Sequence, residues 1–286
     1  MKLSKEVAQR MRHIEIHTRK LLSGSMIGDY SSARKGAGLE FDQIREYELG
    51  DDVRFIDWNA SARGQRLLVK QYIEERNRTV LLIVDRSAST LYGTTDMLKS
   101  DIIAESAAVL ALVADYGKDH VGGFVFSDEV KKSLPAQRGR KHVHAFMEMI
   151  LSSPVEGKTS LTAALKRILS VHRQASMVFI ISDFLDTGYE NLLKIVARHH
   201  DVIAVRCTDP QEHAVALKGL LTIQDPESGK QTQVSLGNNR FNGALEQHHK
   251  DTTQLLQKCG VDILDLSVDK PFIGELVRFF RRRMSY

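Results

Sequence analysis

Short apolar runs alternate with longer segments of helical spacing from about residue 79 to the end of the chain. Four of these runs have the length of a strand and are apolar almost throughout: 80–84, 121–126, 177–181 and 202–205. Such strands are typical of a parallel sheet that is covered on both faces. The pattern therefore predicts an α/β fold, a doubly wound and mostly parallel sheet flanked by helices.

The remaining elements of this region follow from the same reasoning. Residues 129–134 can form an antiparallel strand at a sheet edge, and the Pro- and Gly-containing stretch 225–229 separates two hairpin strands. The predicted helices are 101–116, 141–151, 161–172, 189–200, 244–259 and 272–283, the hairpin strands are 220–223 and 231–235, and the last strand is 261–266.

The first 78 residues do not follow this alternation. Residues 4–22 carry apolar side chains near one helical face, residues 31–38 have the composition of a loop, and residues 67–73 resemble a strand. We therefore divide the chain into an N-terminal extension, residues 1–78, and an α/β domain, residues 79–286. Because the extension has few periodic apolar positions, we expect it to pack against the α/β domain.

Within the extension, residues 45–58 mix charges of both signs with aromatic side chains. Arg45, Asp51, Asp52, Arg54, Asp57 and Trp58 could form a partner-binding surface or an internal cluster of ion pairs and aromatic rings. The number of opposite charges favours the internal cluster for most of them.

Composition excludes several classes of protein. The 286 residues include 40 Lys and Arg, 36 Asp and Glu and two cysteines, with a net charge of +4. This excess is small for a dedicated nucleic-acid binder, and the cysteines form no disulfide framework. Since the sequence has no apolar run of about 20 residues, we expect no transmembrane segment and a cytoplasmic location.

Oxygen-bearing side chains follow two of the predicted strands and precede one helix. Asp85, Ser87 and Ser89 come after the strand 80–84, Asp183 comes after 177–181, and Thr159 precedes the helix that begins at Leu161. Ligands of open α/β sheets bind beyond the carboxyl ends of the strands, and Mg²⁺ prefers oxygen ligands. The alternative is that the hydroxyl groups cap helices. The spacing in all three loops favours a Mg²⁺ site, which Mn²⁺ or Ca²⁺ could also occupy.

This three-loop set resembles the metal-ion-dependent adhesion site of von Willebrand factor A domains. The resemblance implies that Ser87, Ser89 and Thr159 bind the metal directly, while Asp85 and Asp183 bind it directly or through water. Lys158 and Thr90 depart from the common pattern, in which glycine and methionine are frequent, but neither change removes a ligand.

A second resemblance covers nearly the whole chain from about residue 36. The segments 38–41, 45–47, 50–58 and 61–63, together with 209–212 and 225–227, are similar to the signature of the domain of unknown function 58 family. Longer members of that family often carry N-terminal membrane helices. Its genes often lie beside those of MoxR-type AAA+ ATPases, so the resemblance implies such an ATPase and its target as protein partners.

Three functions remain open at this point. The site composition favours a non-enzymatic, Mg²⁺-dependent protein-interaction module, in which an acidic side chain of the partner completes the metal shell. The alternative is a metal-dependent phosphoryl-transfer or phosphatase-like enzyme with Asp85 as nucleophile, although Ser87 replaces the second carboxylate that would act as acid or base. A nucleic-acid-binding protein lacks a recognisable motif, so we expect no specific nucleic-acid partner.

Overall fold

The computed structural model describes residues 5–22, 39–48, 51–64, 66–74, 78–95, 97–212, 219–224, 231–236 and 239–284. In chain order, the elements are α1 (Lys5–Leu22), β1 (Leu39–Glu46), α2 (Trp58–Gly64), β2 (Leu68–Glu74), β3 (Thr79–Asp85), α3 (Lys99–Tyr116), β4 (His120–Phe126), β5 (Val130–Gln137), α4 (Arg140–Ser152), α5 (Leu161–Val171), β6 (Met177–Ser182), α6 (Glu190–His199), β7 (Asp201–Thr208), β8 (Gly219–Gln224), β9 (Gln231–Leu236), α7 (Asn239–Lys258), β10 (Asp262–Ser267) and α8 (Phe272–Met284). None of the described helices combines the length and apolar character that crossing a membrane requires.

Six strands form one sheet in the order β10-β7-β6-β3-β4-β5. All neighbouring pairs are parallel except β4 and β5, since β5 is an antiparallel strand at the edge. The chain runs from β3 outward to β4 and β5, then returns to add β6 on the other side of β3. The carboxyl ends of β3 and β6 therefore meet where the strand order reverses, the usual place for a ligand site in open α/β sheets.

Both faces of this sheet are covered, because side chains alternate between its faces and nearly all of them are apolar. One core joins Val80, Leu82 and Val84 of β3 to helices α1, α3, α4 and α8. A second core joins Leu81 and Ile83 of the same strand to α5, α6 and α7. The predicted fold class, a doubly wound and mostly parallel α/β sheet, is confirmed.

The close pairing of β3 with β4 depends on Gly123. This residue has a φ of +145°, and a Cβ atom there would lie 2.0 Å from the carbonyl oxygen of Leu82. A side chain at position 123 would therefore push the two central strands apart.

Two compact units divide the chain, one formed by Met1–Ala33 and Arg78–Tyr286, the other by Arg34–Asn77. Helix α1 belongs to the larger unit because it buries Met11 and Ile14 in the core beneath α3 and α4. Arg10 of α1 donates to Asp101 of α3 at 3.0 Å. Helix α1, the first helix of the N-terminal extension 1–78, thus lies in the same unit as the six-stranded sheet.

The smaller unit is built around an antiparallel pair of strands, β1 and β2. Its charged residues pair with one another: Arg45 donates to both carboxylate oxygens of Asp51 at 2.7 Å, and Arg54 donates to Asp52 at 2.6 Å. The side chain of Trp58 is exposed. The charged members of the block 45–58 thus form local ion pairs, and the tryptophan does not join them.

Most predicted elements appear within a few residues of their expected bounds, including the hairpin β8–β9. Strand β1 and helix α2 were not predicted, because residues 39–64 show neither a period of 2 nor a period of 3.6. The predicted loop 31–38 and turn 225–229 lie outside the described residues.

Candidate functional site

Three hydroxyl groups meet at the carboxyl edge of the six-stranded sheet. The Thr159 hydroxyl donates to the Ser87 Oγ at 2.7 Å, the Ser87 and Ser89 Oγ atoms are 3.0 Å apart, and the Ser89 Oγ and Thr159 Oγ1 atoms are 3.1 Å apart. Ser87 and Ser89 lie in the loop after β3, while Thr159 precedes α5. We call these three side chains the hydroxyl triangle.

The hydroxyl triangle does not serve as a set of helix caps. Ser160, the residue after Thr159, caps α5 by accepting the N–H of Ala163, and the side chain of Ser87 makes no capping hydrogen bond. These findings remove helix capping as the explanation for the hydroxyl groups of Ser87 and Thr159.

Asp85 ends β3 directly beneath the triangle and is fully buried. Its Oδ1 accepts the backbone N–H of Ser87 at 2.9 Å, and its Oδ2 accepts the hydroxyl of Ser182 at 2.5 Å. Burial, followed by the charge of Asp183, raises the pKa of Asp85 to about 7, although the hydrogen bonds from Ser182 and Ser87 oppose this shift. A proton or a cation at this carboxylate therefore stabilises the folded site.

Asp183 follows β6, and the backbone after it is strained. Phe184 is buried and has a φ of +56°, in the left-handed region that bulky residues rarely adopt. Its N–H donates to the Ser182 Oγ at 3.1 Å, which holds the turn in place. Backbone strain of this kind is typical of functional sites, where the surrounding structure enforces it.

Lys99, the first residue of α3, holds the carboxylate of Asp183. The side chains of Lys99 and Asp183 are each 1% exposed, and the Nζ donates to the Asp183 Oδ2 at 2.8 Å and to the Glu212 Oε1 at 2.6 Å. Burial opposes the ammonium charge, but the two carboxylates outweigh it and raise the pKa of Lys99. Lys99 is thus a buried counter-ion shared by two acidic side chains.

Glu212 lies in a turn after β7 that is stabilised by several hydrogen bonds. Its Oε2 accepts the N–H of Asp209 at 3.1 Å, and the buried carboxylate of Asp209 accepts the N–H of Thr94 at 2.7 Å and that of Gln211 at 2.8 Å. This network joins the loop after β7 to the segment that precedes α3. We call residues 209–212 the acidic turn.

Backbone contacts hold the loops of the site in register. The Ala88 N–H donates to the carbonyl of Gly157 at 2.9 Å, which ties the loop of Ser87 and Ser89 to the loop of Thr159. Gly157 has a φ of +81°, a conformation that favours glycine. Arg86 is buried and donates to the carbonyl oxygens of Ser100 and Ser153, and these hydrogen bonds fix the loop after β3.

The structure thus brings Ser87, Ser89 and Thr159 into contact and connects Asp85 to them through the backbone of Ser87. Asp183 lies at the end of the neighbouring strand, with Oδ2 bonded to Lys99 rather than to the triangle. Among the described residues, no group of three or more His, Cys, Asp or Glu side chains is arranged to hold a metal ion. A cation at this edge would therefore depend on the hydroxyl groups.

Sequence reasoning missed three residues of this network: Lys99, Ser182 and Glu212. No local pattern in the sequence marks Lys99 or Ser182 as part of a site. Glu212 belongs to the stretch 209–212 that had been noted for its family resemblance alone.

The rim of the site carries exposed apolar side chains. Leu91 and Tyr92 follow the loop of Ser87 and Ser89, Leu185 follows Asp183 by two residues, and all three are exposed. The ring centroid of Tyr92 lies 5.7 Å from the Lys99 Nζ, which places this ring beside the buried ion pair.

Comparison with known proteins adds family relationships to this geometry. The model of a family described as "Protein of unknown function DUF58" matches residues 43–254. The uncharacterized protein Mb1516 of Mycobacterium bovis is 30% identical over 285 residues, which cover 97% of this chain and 90% of that protein. The uncharacterized protein YeaD of Bacillus subtilis is 26% identical over 99 residues, or 35% of this chain and 23% of that protein.

Solved structures with similar folds include BatB from Bacteroides thetaiotaomicron and the VWA domain of SpRpn10. BatB has a TM-score of 0.45 and 13% identity, over 73% of this chain and 100% of that chain. The SpRpn10 domain has a TM-score of 0.40 and 10% identity, over 70% of this chain and 94% of that chain. Both TM-scores are below 0.5, so neither structure indicates a function for this chain.

Proposed function

This chain belongs to the DUF58 family of proteins of unknown function, and we propose that it is a non-enzymatic protein-interaction module that binds its partner through a divalent cation. The cation is Mg²⁺, and the residues that would hold it are Asp85, Ser87, Ser89, Thr159 and Asp183. The observation that carries the proposal is the hydroxyl triangle beside two buried carboxylates.

The spacing of the triangle suits Mg²⁺. Adjacent ligands of an octahedral Mg²⁺ at about 2.0–2.1 Å are about 2.8–3.0 Å apart, whereas six ligands of Ca²⁺ at about 2.3–2.6 Å are about 3.3–3.7 Å apart. The three oxygen–oxygen distances of 2.7, 3.0 and 3.1 Å are those of ordinary hydrogen bonds between hydroxyl groups, and they also match the ligand spacing around Mg²⁺. Mn²⁺ can take the same oxygen ligands, and Ca²⁺ would require the loops to separate.

The charges of the site also favour a cation. Asp85 is fully buried, and the charge of Asp183 raises its pKa further, so the two carboxylates repel each other when both are ionised. A divalent ion would relieve this repulsion and the cost of burial together. When bound mainly by neutral hydroxyls, it would supply an electrophilic position for an anionic oxygen from outside.

The exposed rim indicates a protein as the source of that oxygen. Leu91, Tyr92 and Leu185 offer apolar contact area around the site, and exposed apolar side chains that cluster at a site support a protein interface. We propose that an Asp or Glu side chain of the partner approaches the site while neighbouring apolar residues contact the rim.

The proposed partner is a MoxR-type AAA+ ATPase, together with a protein on which the pair acts in assembly or maturation. This part of the proposal comes from the family resemblance. A cytoplasmic location belongs to the same proposal and agrees with two free, buried cysteines, Cys207 and Cys259. We do not propose hydrolysis, because Ser87 stands where a second carboxylate would be needed and its hydroxyl is engaged with Ser89 and Thr159.

The test is capture of the MoxR-type ATPase from native lysate by the immobilised full chain in Mg²⁺ or in EDTA. We expect EDTA to remove the ATPase and Asp85→Ala to abolish its capture in Mg²⁺, because the ion loses its buried carboxylate ligand. Thr159→Val, which keeps the shape of the side chain but removes its oxygen, should weaken capture strongly.

Asp269→Ala is the matched control, since Asp269 is an exposed carboxylate after β10 on the same edge of the sheet. It should capture the ATPase as well as the wild-type chain does. Capture that is indifferent to EDTA and to Asp85→Ala would refute the cation bridge. Metal-dependent hydrolysis of a phosphate ester that is lost in Asp85→Ala would refute the binding function and indicate an enzymatic one.

A further inference from the structure

A buried lysine with two carboxylates has one more anionic partner than neutrality requires. Lys99 bonds Asp183 at 2.8 Å and Glu212 at 2.6 Å, and Asp183 is one of the proposed cation ligands. A single carboxylate would suffice to neutralise the ammonium group. The second partner therefore calls for an explanation.

The backbone holds the two carboxylates in different ways. Glu212 is fixed by the acidic turn, because its other oxygen accepts the N–H of Asp209 and Asp209 is itself held by Thr94. Asp183 has a backbone contact of only 3.4 Å, from the Leu185 N–H to its Oδ1. The backbone hydrogen bond to Asp183 is thus longer than the one to Glu212, and Asp183 is the carboxylate that lies beside the site.

Leaving Lys99 without a partner would carry a large penalty, because a buried and unpaired charge is strongly destabilising. With Glu212 in place, the ammonium group keeps a counter-ion when Asp183 turns away from it. The carboxylate of Asp183 can then face a cation, and Lys99 remains neutralised.

From this arrangement we infer that Lys99 and Glu212 are positioning residues that decide whether Asp183 is available to the cation, so that metal affinity depends on the acidic turn. The inference rests on the proposed cation site. It couples the loop after β7 to that site, and any contact that moves Glu212 away from Lys99 lowers the affinity for Mg²⁺.

The test is a double-mutant cycle on the affinity for Mg²⁺ alone, measured by calorimetric titration of the full chain. We expect Glu212→Gln to weaken binding tenfold or more in the wild-type background, because Lys99 then retains Asp183. In the Lys99→Met background, the same Glu212→Gln change should alter the affinity less than twofold, because no ammonium group competes for Asp183. Lys99→Gln replaces Lys99→Met if the methionine variant does not fold.

A direct electrostatic attraction between Glu212 and the cation predicts a different result. If Glu212 acted only through its charge on the cation, Glu212→Gln would weaken binding by the same factor in both backgrounds, and that result would overturn the inference. Glu156→Gln, an exposed carboxylate in the loop that leads to Thr159, controls for a change of one charge near the site and should alter the affinity less than twofold.

The outcomes also separate this inference from the proposed function. Absence of Mg²⁺ binding by the wild-type chain would refute the cation site and the inference together. Binding by the wild-type chain with an unchanged affinity in Glu212→Gln would refute the inference and leave the cation site standing.

Discussion

Ion pairs of similar length occur at the edge of the six-stranded sheet and in the unit Arg34–Asn77, but their surroundings differ. Lys99 and Asp183 are 2.8 Å apart with each side chain 1% exposed. Arg54 and Asp52 are 2.6 Å apart with side chains 81% and 37% exposed. The exposed pair is the shorter of the two, although water surrounds most of it.

The comparison teaches that distance does not rank the energetic importance of these pairs. The two groups of an exposed ion pair replace hydrogen bonds to water by a bond to each other, so the pair adds little to the free energy of unfolding. Each group of a buried pair has lost its water and depends on the other group for stabilisation. The buried charged residues at the sheet edge should therefore respond strongly to substitution, and the exposed ones of the smaller unit weakly.

The largest expected effect is that of Lys99→Ala on stability. Removal of the ammonium group leaves Asp183 buried without its counter-ion, and breaking such a pair costs about 3–5 kcal/mol. Urea unfolding in metal-free buffer measures the loss, and added Mg²⁺ should recover part of it. A loss below about 1 kcal/mol would place this pair in the same class as the exposed ones.

The second largest expected effect is the change with pH in the free energy of unfolding that Asp85 causes. Its pKa is about 7 in the folded protein and 3.8 in the unfolded chain, so between these values the folded state keeps a proton that the unfolded state has released. The free energy of unfolding should therefore fall as the pH rises from about 4 to 7, by up to about 4 kcal/mol at 1.36 kcal/mol per pKa unit.

Asp85→Asn isolates this contribution, because it removes the titrating group and keeps the shape of the side chain. The difference in free energy of unfolding between wild type and variant, both measured without metal from pH 4 to 8, should follow the fall described above and level off above pH 7. A difference that stays constant over this range would show that Asp85 titrates normally.

The smallest expected effect is that of Arg54→Ala, which removes the exposed partner of Asp52. Because the Asp52 carboxylate is in contact with water before and after the change, the urea midpoint should not move measurably. A clear decrease would mean that this part of the smaller unit is more important for stability than its exposure suggests.

The sheet and the positions of the site loops could be predicted from the sequence because they depend on patterns that are local to the chain. The runs 80–84 of β3 and 177–181 of β6 are apolar throughout, and Asp85 and Asp183, which come just after these runs, necessarily lie at the same edge of a parallel sheet. The contact of Thr159 with Ser87 follows the same principle, since a loop before α5 reaches that edge.

The charge balance of the site could not be predicted in this way. A lysine at the beginning of a helix ordinarily faces water, and only the packing of α3 against the loops after β6 and β7 buries Lys99 beside Asp183 and Glu212. Strand β1 and helix α2 were missed for a related reason, because charge pairs rather than an apolar period accompany these elements.

The separation in sequence between α1 and α4 has a consequence for synthesis on the ribosome. Its Glu15 bonds Arg140 of α4, 125 residues later, and Met11 and Ile14 belong to the same core as α3 and α4. At about 5–20 residues per second, α4 is synthesised roughly 6–25 s after α1. During this interval the apolar face of α1 lacks its contacts with α4, so we expect chaperones that bind chains during translation to recognise it.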